Sequence, residues 1–367
     1  MTASYLAPRR LITERTEHPL GVGCRPIGGP ATNQNRPVGW AEVADSGSAV
    51  DTLLRAHALG ATVFDASDVY GLGHSQRVLG RMLAQVPRES VRITSTIGNY
   101  KGTGEHPYSA LNLFRQVEQA QENFGARRVD VLVLAHTDFG PEDRYLDEAR
   151  DTLQALRDSG DVTALGMTVP AILVADPPAS GPRVGRRGCR MRHDFLVEQL
   201  GPQVLSTAAF PPEPSSGAAA AGAESVFAFA RRHGAATMVH EPLLHGLLTG
   251  KYGPDSAFAS GDVRSQYSPS IRGLIDRGLD GLRERFGADP QTLARIALHY
   301  ALRSCPDSIV LAGVSSAEQA TENFAGLSTE VSDHDYLFAH RSFMTVYAAL
   351  ARHAQSAERL HQLPARA

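Results

Sequence analysis

A carboxylate, a phenol and an imidazole each stand at or just after an apolar stretch of this sequence. Asp65 ends the stretch TVFD, Tyr70 follows it by five residues in a glycine-rich turn, and His136 ends VDVLVLAH. Tyrosine and histidine can donate or accept a proton during catalysis, and a carboxylate can tune them. The alternative is local, since Asp and Gly form turns and Tyr often covers the edge of a core. The elements that carry these residues decide between the two interpretations.

Short apolar runs alternate with stretches of helical periodicity along most of the chain. The runs predict eight strands, each apolar on both faces, as in a buried parallel sheet. The intervening stretches repeat apolar residues at spacings of three and four, and several end in a glycine that suits a helix C-cap. The predicted strands span residues 20–24, 62–65, 91–95, 129–136, 163–167, 204–208, 236–240 and 308–313.

This alternation predicts an α/β fold, a (β/α)8 TIM barrel with an N-terminal extension and a C-terminal helix. We expect residues 1–367 to form a single domain, with the barrel over about 20–330 and a helical extension over 331–367. In such barrels the chemistry lies at the C-terminal ends of the strands. The carboxylate, the phenol and the imidazole each end or follow a predicted strand, so the fold would bring them to one mouth. That convergence favours a catalytic interpretation over a simple turn.

The composition is that of an ordinary globular protein with a large core. The 367 residues are 42% hydrophobic and 20% charged, with a formal net charge of −3, which gives no reason to expect nucleic acid or a membrane as a partner. The three cysteines form no CxxC pair, and no HExxH motif occurs, so we expect no metal site and a reducing, cytoplasmic environment. The expected partner is a small-molecule substrate, and the oligomeric state stays open.

Five stretches, in order, resemble the aldo-keto reductase superfamily over nearly the whole chain. The resemblance implies NAD(P)H-dependent reduction of a carbonyl group by a tetrad of Asp, Tyr, Lys and His, in which the Tyr protonates the carbonyl oxygen. The stretches are GATVFDASDVYGLGHSQRVLG (60–80), VDVLVLAH (129–136), GDVTALGM (160–167), EPLLHGLLTGKY (241–252) and GVSSAEQATEN (313–323).

The implied tetrad is incomplete in this sequence. Asp65, Tyr70 and His136 match it, but where the family has a lysine at the end of the third strand this chain reads TSTIG and places Thr96. The change has a large expected effect, because the ammonium group lowers the pKa of the phenol and compensates the charge of the carboxylate. Lys101 lies five positions beyond Thr96 and is expected out on the loop.

The resemblance also implies cofactor-binding positions, and these divide into two groups. At the nicotinamide end the family's Ser-Asn pair reads Thr168-Val169, its Gln reads Ser206, and its stacking aromatic reads His240. We therefore expect NADP(H) or NAD(H) to bind mainly through its adenine and phosphate end, weakly or without use in redox chemistry. The Arg or Lys that often grips a 2′-phosphate is absent. The positions kept at the phosphate and adenosine end are Pro242, Leu243, Gly246, Leu248, Lys251, Gly313, Ser315, Gln319 and Asn323.

Three functions are compatible with this pattern. The first is NAD(P)H-dependent carbonyl reduction with an atypical tetrad, in which Tyr70 is the acid and His136 polarises the substrate oxygen. The second is non-redox proton-transfer chemistry by a lyase, dehydratase or cyclase on the same fold. The third is a non-catalytic, cofactor-sensing protein. Cofactor oxidation by carbonyl compounds, turnover without nicotinamide, and binding without turnover distinguish them.

Two irregular stretches interrupt the alternation. The first holds five arginines between Arg183 and Arg192 and predicts either a solvated surface or a site for an anionic ligand. The second, from Tyr252 to about Ser270, is long enough to form a lid over a site.

Overall fold

The computed structural model describes residues 4–12, 15–33, 35–42, 45–100, 102–174, 189–209, 214 and 222–361. Eight parallel strands form a closed barrel, which confirms the predicted (β/α)8 fold. Each strand pairs with the next along the chain, and the eighth pairs with the first. The strands are β1 (Leu20–Gly23), β2 (Val63–Asp65), β3 (Arg92–Ile97), β4 (Val129–Leu134), β5 (Val162–Thr168), β6 (Val204–Ala208), β7 (Ala236–His240) and β8 (Ser308–Gly313).

Helices connect the strands and surround the barrel. Their ends follow local signals: the Asp45 carboxylate accepts hydrogen bonds from the first turn of α1. Gly125 and Gly234 are the predicted glycine C-caps of α3 and α6, and both adopt the left-handed conformation. The helices are α1 (Ser46–Ala58), α2 (His74–Leu83), α3 (Ala110–Phe124), α4 (Leu146–Asp158), α5 (Arg190–Leu200), α6 (Val226–His233), α7 (Pro269–Gly278), α8 (Asp280–Phe286), α9 (Pro290–Ser304), α10 (Ala317–Ala325) and α11 (Asp333–His361).

Short elements outside the barrel complete the fold. An N-terminal pair, Arg9–Arg10 with Thr16–Glu17, precedes β1, and Leu11 between them packs with apolar side chains of the barrel strands. At the other end of the chain, α11 packs against α7 and α9. These positions match the expected extensions, while the single-domain division itself stays a prediction. Within the described ranges, no helix combines the length and apolar character needed to cross a membrane.

Buried apolar side chains fill the inside of the barrel and the space around it. One apolar cluster lies inside the barrel and includes Val63, Val131 and Met238, while larger clusters fill the space between strands and helices. Cys24, Cys189 and Cys305 are buried and free. Because the strands run parallel, their C-terminal ends open on the same mouth, and residues at those ends are held in fixed relative positions.

Candidate active site

A cleft opens at the C-terminal ends of β1, β2, β7 and β8. Gly23, Asp65, His240 and Gly313, each the last residue of its strand, line it, and it extends to the first turns of α10. Its volume is about 350 Å³, which lies within the range of small-molecule sites.

Asp65 is buried at the base of this cleft between two neighbouring strands. Its ladder partners are Gly23 on β1 and Thr94 on β3, and the Thr94 hydroxyl donates a hydrogen bond of 2.7 Å to Asp65 Oδ1. Burial raises the pKa of the Asp65 carboxyl, while the Thr94 hydrogen bond and the nearby His240 and Arg25 oppose that rise. No ion pair joins Asp65 to a cation in the described part of the chain.

Tyr70 lies in the loop after β2 and meets an arginine that the tetrad comparison did not consider. Arg25 Nη2 donates a hydrogen bond of 3.2 Å to the Tyr70 hydroxyl, and its guanidinium carbon lies 4.9 Å from the centre of the ring. Burial raises the pKa of Tyr70 to about 12; the Arg25 guanidinium acts against this rise, and the Asp65 carboxylate adds to it.

Two glycines allow the Arg25 and Tyr70 loops to approach. A Cβ at Gly28 would lie 2.8 Å from the Tyr70 carbonyl carbon, and one at Gly71 would lie 1.6 Å from the Gly28 carbonyl oxygen. Gly71 also has a φ of +63°, which side chains disfavour. The close backbone contact therefore requires glycine at both positions, and it places Arg25 beside the phenol.

The other edge of the Arg25 guanidinium is held by the loop after β7. Arg25 Nη1 lies 2.8 Å from Glu241 Oε1 and 2.5 Å from His245 Nε2. Since arginine only donates, His245 Nε2 must accept, and its Nδ1–H then donates to the Tyr267 hydroxyl at 2.9 Å. Burial by itself would raise the pKa of Glu241, but the Arg25 guanidinium paired with it acts in the opposite direction, and the pKa lies well below its usual range.

Sequence reasoning missed Arg25, Glu241 and His245 as site residues. A signal for Arg25 was present, because it comes directly after the first predicted strand, where barrel chemistry is located. Glu241 and His245 lie inside the segment that resembles the pyrophosphate loop, and both adopt a positive φ, of 60° and 56°. Only their contact with Arg25 distinguishes them from neighbouring loop residues.

His136 and Thr96 lie at the same end of the barrel but do not line the cleft. The Asp138 N–H approaches His136 Nδ1 at 3.3 Å, so Nδ1 accepts and Nε2–H donates to the Gly98 carbonyl at 3.0 Å. The His136 backbone also exchanges two hydrogen bonds with the Tyr108 hydroxyl. Both ring nitrogens are thus engaged with backbone groups, and neither points to a substrate oxygen in this arrangement.

The structure places some of the predicted cofactor positions in the lining of the cleft and others outside it. Thr168 and Ser206 face each other across β5 and β6 outside the cleft, and Leu248 is buried in the core. The role of these three in cofactor binding stays a prediction. The positions that line the cleft are His240, Pro242, Leu243, Gly246, Lys251, Gly313, Ser315, Gln319 and Asn323.

The far end of the cleft is built on the start of α10. Gln319 Oε1 accepts hydrogen bonds of 3.0 Å from both the backbone N–H and the hydroxyl of Ser315, and Ser316 caps the helix. Helix N-termini with small polar residues suit phosphate groups. Two carboxylates, Glu318 and Glu322, line the same end.

The predicted lid segment, from Tyr252 to about Ser270, contributes one residue to the lining of the cleft, and its role as a lid stays a prediction. Tyr252 lines the cleft opposite Trp40, and Arg264 joins the two walls, with its guanidinium 3.9 Å from the Trp40 ring and 2.6 Å from the Tyr252 hydroxyl. Asp262 neutralises Arg264 through two hydrogen bonds. The segment is thus fastened to the loop after β1.

The arginine run is only partly described. Arg183, Arg186 and Arg187 lie outside the described residues, as does Lys101. Arg192 forms an ion pair with Asp143 and donates to the Thr137 carbonyl, so this member of the run has a structural contact.

Comparison with known proteins agrees with this architecture. A sequence model described as the Aldo/keto reductase family matches residues 29–175 and 219–337. The chain is 24% identical over 319 residues to an L-galactose dehydrogenase from Arabidopsis thaliana, with 84% of each protein covered. It is also 24% identical over 343 residues to an NADH-specific methylglyoxal reductase from Escherichia coli, covering 88% of this chain and 94% of the relative.

Solved structures give the same fold. A glycerol dehydrogenase from Gluconobacter oxydans superposes with a TM-score of 0.64 at 20% identity, over 93% of this chain and 95% of that one. A holo aldo-keto reductase from Bacillus halodurans gives a TM-score of 0.62 at 17% identity, covering 91% and 96%. These matches confirm the resemblance, and because the family model covers most of the sequence, the chain belongs to the aldo/keto reductase family.

Proposed function

We propose that this protein is a nicotinamide-dependent oxidoreductase that interconverts a carbonyl and an alcohol group of a small molecule. One observation carries the proposal: Asp65 and Tyr70 line the same cleft as nine of the predicted cofactor positions. A dinucleotide fits this donor set, with its phosphates near Gly246, Lys251 and the start of α10. When bound in its reduced form, it would supply a hydride to the carbonyl carbon.

The chain's own residues would supply the proton. Tyr70 would donate its hydroxyl proton to the carbonyl oxygen, because burial raises its pKa to about 12 and so keeps the phenol protonated near neutral pH. Asp65 would position the reacting groups from the base of the cleft. His136 would not take part unless its ring left the Gly98 carbonyl.

The charges of the cleft support a neutral substrate. Among its described lining residues, Glu42, Asp65, Glu241, Glu318 and Glu322 are acidic, whereas Arg25 and Lys251 are basic. Glu318, Glu322 and Lys251 lie toward the proposed dinucleotide, whereas a substrate at Tyr70 would meet Asp65, Glu241 and Arg25. An anionic substrate there would meet more repulsion than attraction. The names of the relatives also point to neutral aldehydes, polyols and sugars.

The same charges favour NAD(H) over NADP(H). The resemblance places the adenosine end near Ser315, Gln319 and Asn323, where Glu318 and Glu322 would face a 2′-phosphate. No arginine or lysine lines this end among the described residues of the cleft. Small-molecule specificity, cytoplasmic location and independence from nucleic acid stay predictions.

A direct assay tests the proposal. We expect purified protein to oxidise NADH in the presence of methylglyoxal, and to do so far more slowly with pyruvate, which replaces the aldehyde hydrogen with a carboxylate oxygen. Turnover of a substrate without any nicotinamide would instead favour lyase, dehydratase or cyclase chemistry. Binding of NADH with no turnover of a wide panel of aldehydes, ketones and alcohols would favour a cofactor-sensing protein.

A further inference from the structure

The phenol of Tyr70 has a cation beside it although the tetrad lysine is missing. Within the barrel, β2 lies between β1 and β3. The family lysine would approach Tyr70 from β3, where this chain has Thr96. Arg25 approaches it from β1, on the opposite side, and its Nη2 reaches the phenol oxygen at 3.2 Å.

The position of this guanidinium is fixed by contacts on both of its edges. Glu241 and His245 hold Nη1, while Nη2 is directed at Tyr70. The His245 ring is itself fixed by Tyr267, and the close contact of Gly28 with the Tyr70 backbone holds the two loops together. A guanidinium held in this way donates to the phenol without first losing side-chain freedom.

We propose that Arg25 is a positioning residue that replaces the missing lysine from the opposite side of Tyr70. This inference rests on the proposed function. During reduction, the Tyr70 O–H bond breaks as an O–H bond to the substrate oxygen forms, and the electron pair stays on the Tyr70 oxygen. The Arg25 N–H groups stabilise that tyrosinate until a proton from water restores the phenol. A reduced dinucleotide, when bound, would supply the hydride that the carbonyl carbon needs.

The charges around Tyr70 agree with this role. The groups that act on the phenol are Arg25, Asp65 and Glu241. His240 and His245 both lie next to Glu241, and His240 also acts on the Asp65 carboxyl. Burial, Asp65 and Glu241 all raise the pKa of Tyr70, and Arg25 is the group among them that lowers it. Removing the guanidinium should therefore make the phenol harder to ionise.

The decisive experiment needs neither cofactor nor substrate. A fluorotyrosine, whose phenol is more acidic than that of tyrosine, is incorporated at position 70, and fluorine NMR follows its ionisation with pH. We expect Arg25→Met to raise the pKa of this probe by at least about one unit, a tenfold change in its ionisation constant. Arg25→Lys should keep most of the native value, and Arg150→Met, which removes an arginine on the outer surface of α4, should not change it. An equal pKa in the native and Arg25→Met proteins would overturn the proposal.

Kinetics provide a second, independent measurement. Arg25→Met should lower kcat more than it raises KM, and the loss should be partly rescued by Arg25→Lys or by adding Thr96→Lys, which returns a cation from β3. Because Arg25→Met leaves Glu241 without its ion pair, the double variant Arg25→Met with Glu241→Gln, compared with Glu241→Gln alone, keeps the test valid if the single variant does not fold. Failure of every cationic variant to rescue would overturn the role. A shifted probe pKa in a protein with no oxidoreductase activity would instead refute the proposed function.

Discussion

The Thr94 hydroxyl and the Asp65 carboxylate form a buried hydrogen bond of 2.7 Å between adjacent positions of β3 and β2. This contact takes over part of what a cation would do, because it stabilises the ionised carboxylate. Burial nevertheless keeps the pKa of Asp65 above its ordinary value. The folded protein therefore holds a proton on Asp65 more readily than the unfolded chain does.

Thr94→Val should destabilise the protein in a way that depends on pH. Loss of a hydrogen bond to a buried charged group costs about 1–3 kcal/mol in the free energy of unfolding. The pKa of Asp65 is higher in the folded protein than in the unfolded chain, where it is near 3.9. The free energy of unfolding therefore falls as the pH rises from about 3.9 through the folded pKa, because Asp65 ionises less readily in the folded protein. Without the Thr94 hydroxyl this loss of unfolding free energy is larger. The destabilisation of Thr94→Val relative to the native protein should therefore be greater at neutral pH than at about pH 4.

Urea unfolding at a series of pH values measures this difference. Thr345→Val is a matched control, because it removes an exposed threonine hydroxyl that bonds only within α11. A Thr94→Val destabilisation that is the same at every pH would show that the threonine does not act through the charge of Asp65.

Tyr70→Phe should abolish most of the oxidoreductase activity while leaving the cofactor site intact. A general acid contributes on the order of 100-fold or more to the rate, and phenylalanine keeps the ring but has no proton to give. We expect kcat to fall by at least that factor, with an unchanged shift of the melting temperature by NADH. Tyr5→Phe, which removes a hydroxyl bonded to His299 away from the cleft, is the control. If the Tyr70→Phe variant turned over the true substrate as fast as the native protein does, Tyr70 would have no catalytic role.

NAD(H) should bind more tightly than NADP(H). Two like charges about 4 Å apart repel by roughly 1 kcal/mol in water-like surroundings, which corresponds to about fivefold in affinity. We therefore expect at least that preference by isothermal titration calorimetry. The double variant Glu318→Gln with Glu322→Gln should reduce this preference for NAD(H). Glu118→Gln, which changes an exposed residue of α3, should not reduce it. Equal affinities in the native protein would exclude a role for these carboxylates in cofactor choice.

His136→Gln should reduce activity much less than Tyr70→Phe does. The imidazole donates to the Gly98 carbonyl and accepts from the Asp138 N–H, so its hydrogen bonds stabilise loops at the mouth of the barrel. We expect kcat/KM to fall by less than about tenfold, together with a lower melting temperature, since each lost hydrogen bond costs about 1 kcal/mol. A loss as large as that of Tyr70→Phe would mean that the ring turns toward the substrate in the working enzyme.

The barrel could be predicted from the sequence because its signals are local. Each strand is a short apolar run and each helix repeats at three and four residues, so periodicity alone locates them to within a few residues. The C-terminal ends of parallel strands share one mouth, and this was enough to bring Asp65 and Tyr70 into one cleft. That Thr96 stands at the position of the family's lysine is likewise a prediction from the sequence, by its resemblance to the family.

The contacts of Arg25 with Tyr70 and His245 were decided by tertiary structure alone. Arg25 and Tyr70 are 45 residues apart, and Arg25 and His245 are 220 apart, so no local pattern relates them. The direction of the His136 ring depends likewise on a carbonyl of another loop, 38 residues away. Side-chain hydrogen bonds across a barrel mouth depend on distances of a few tenths of an ångström, which only the closed fold determines, whereas strand and helix periods are properties of the chain itself.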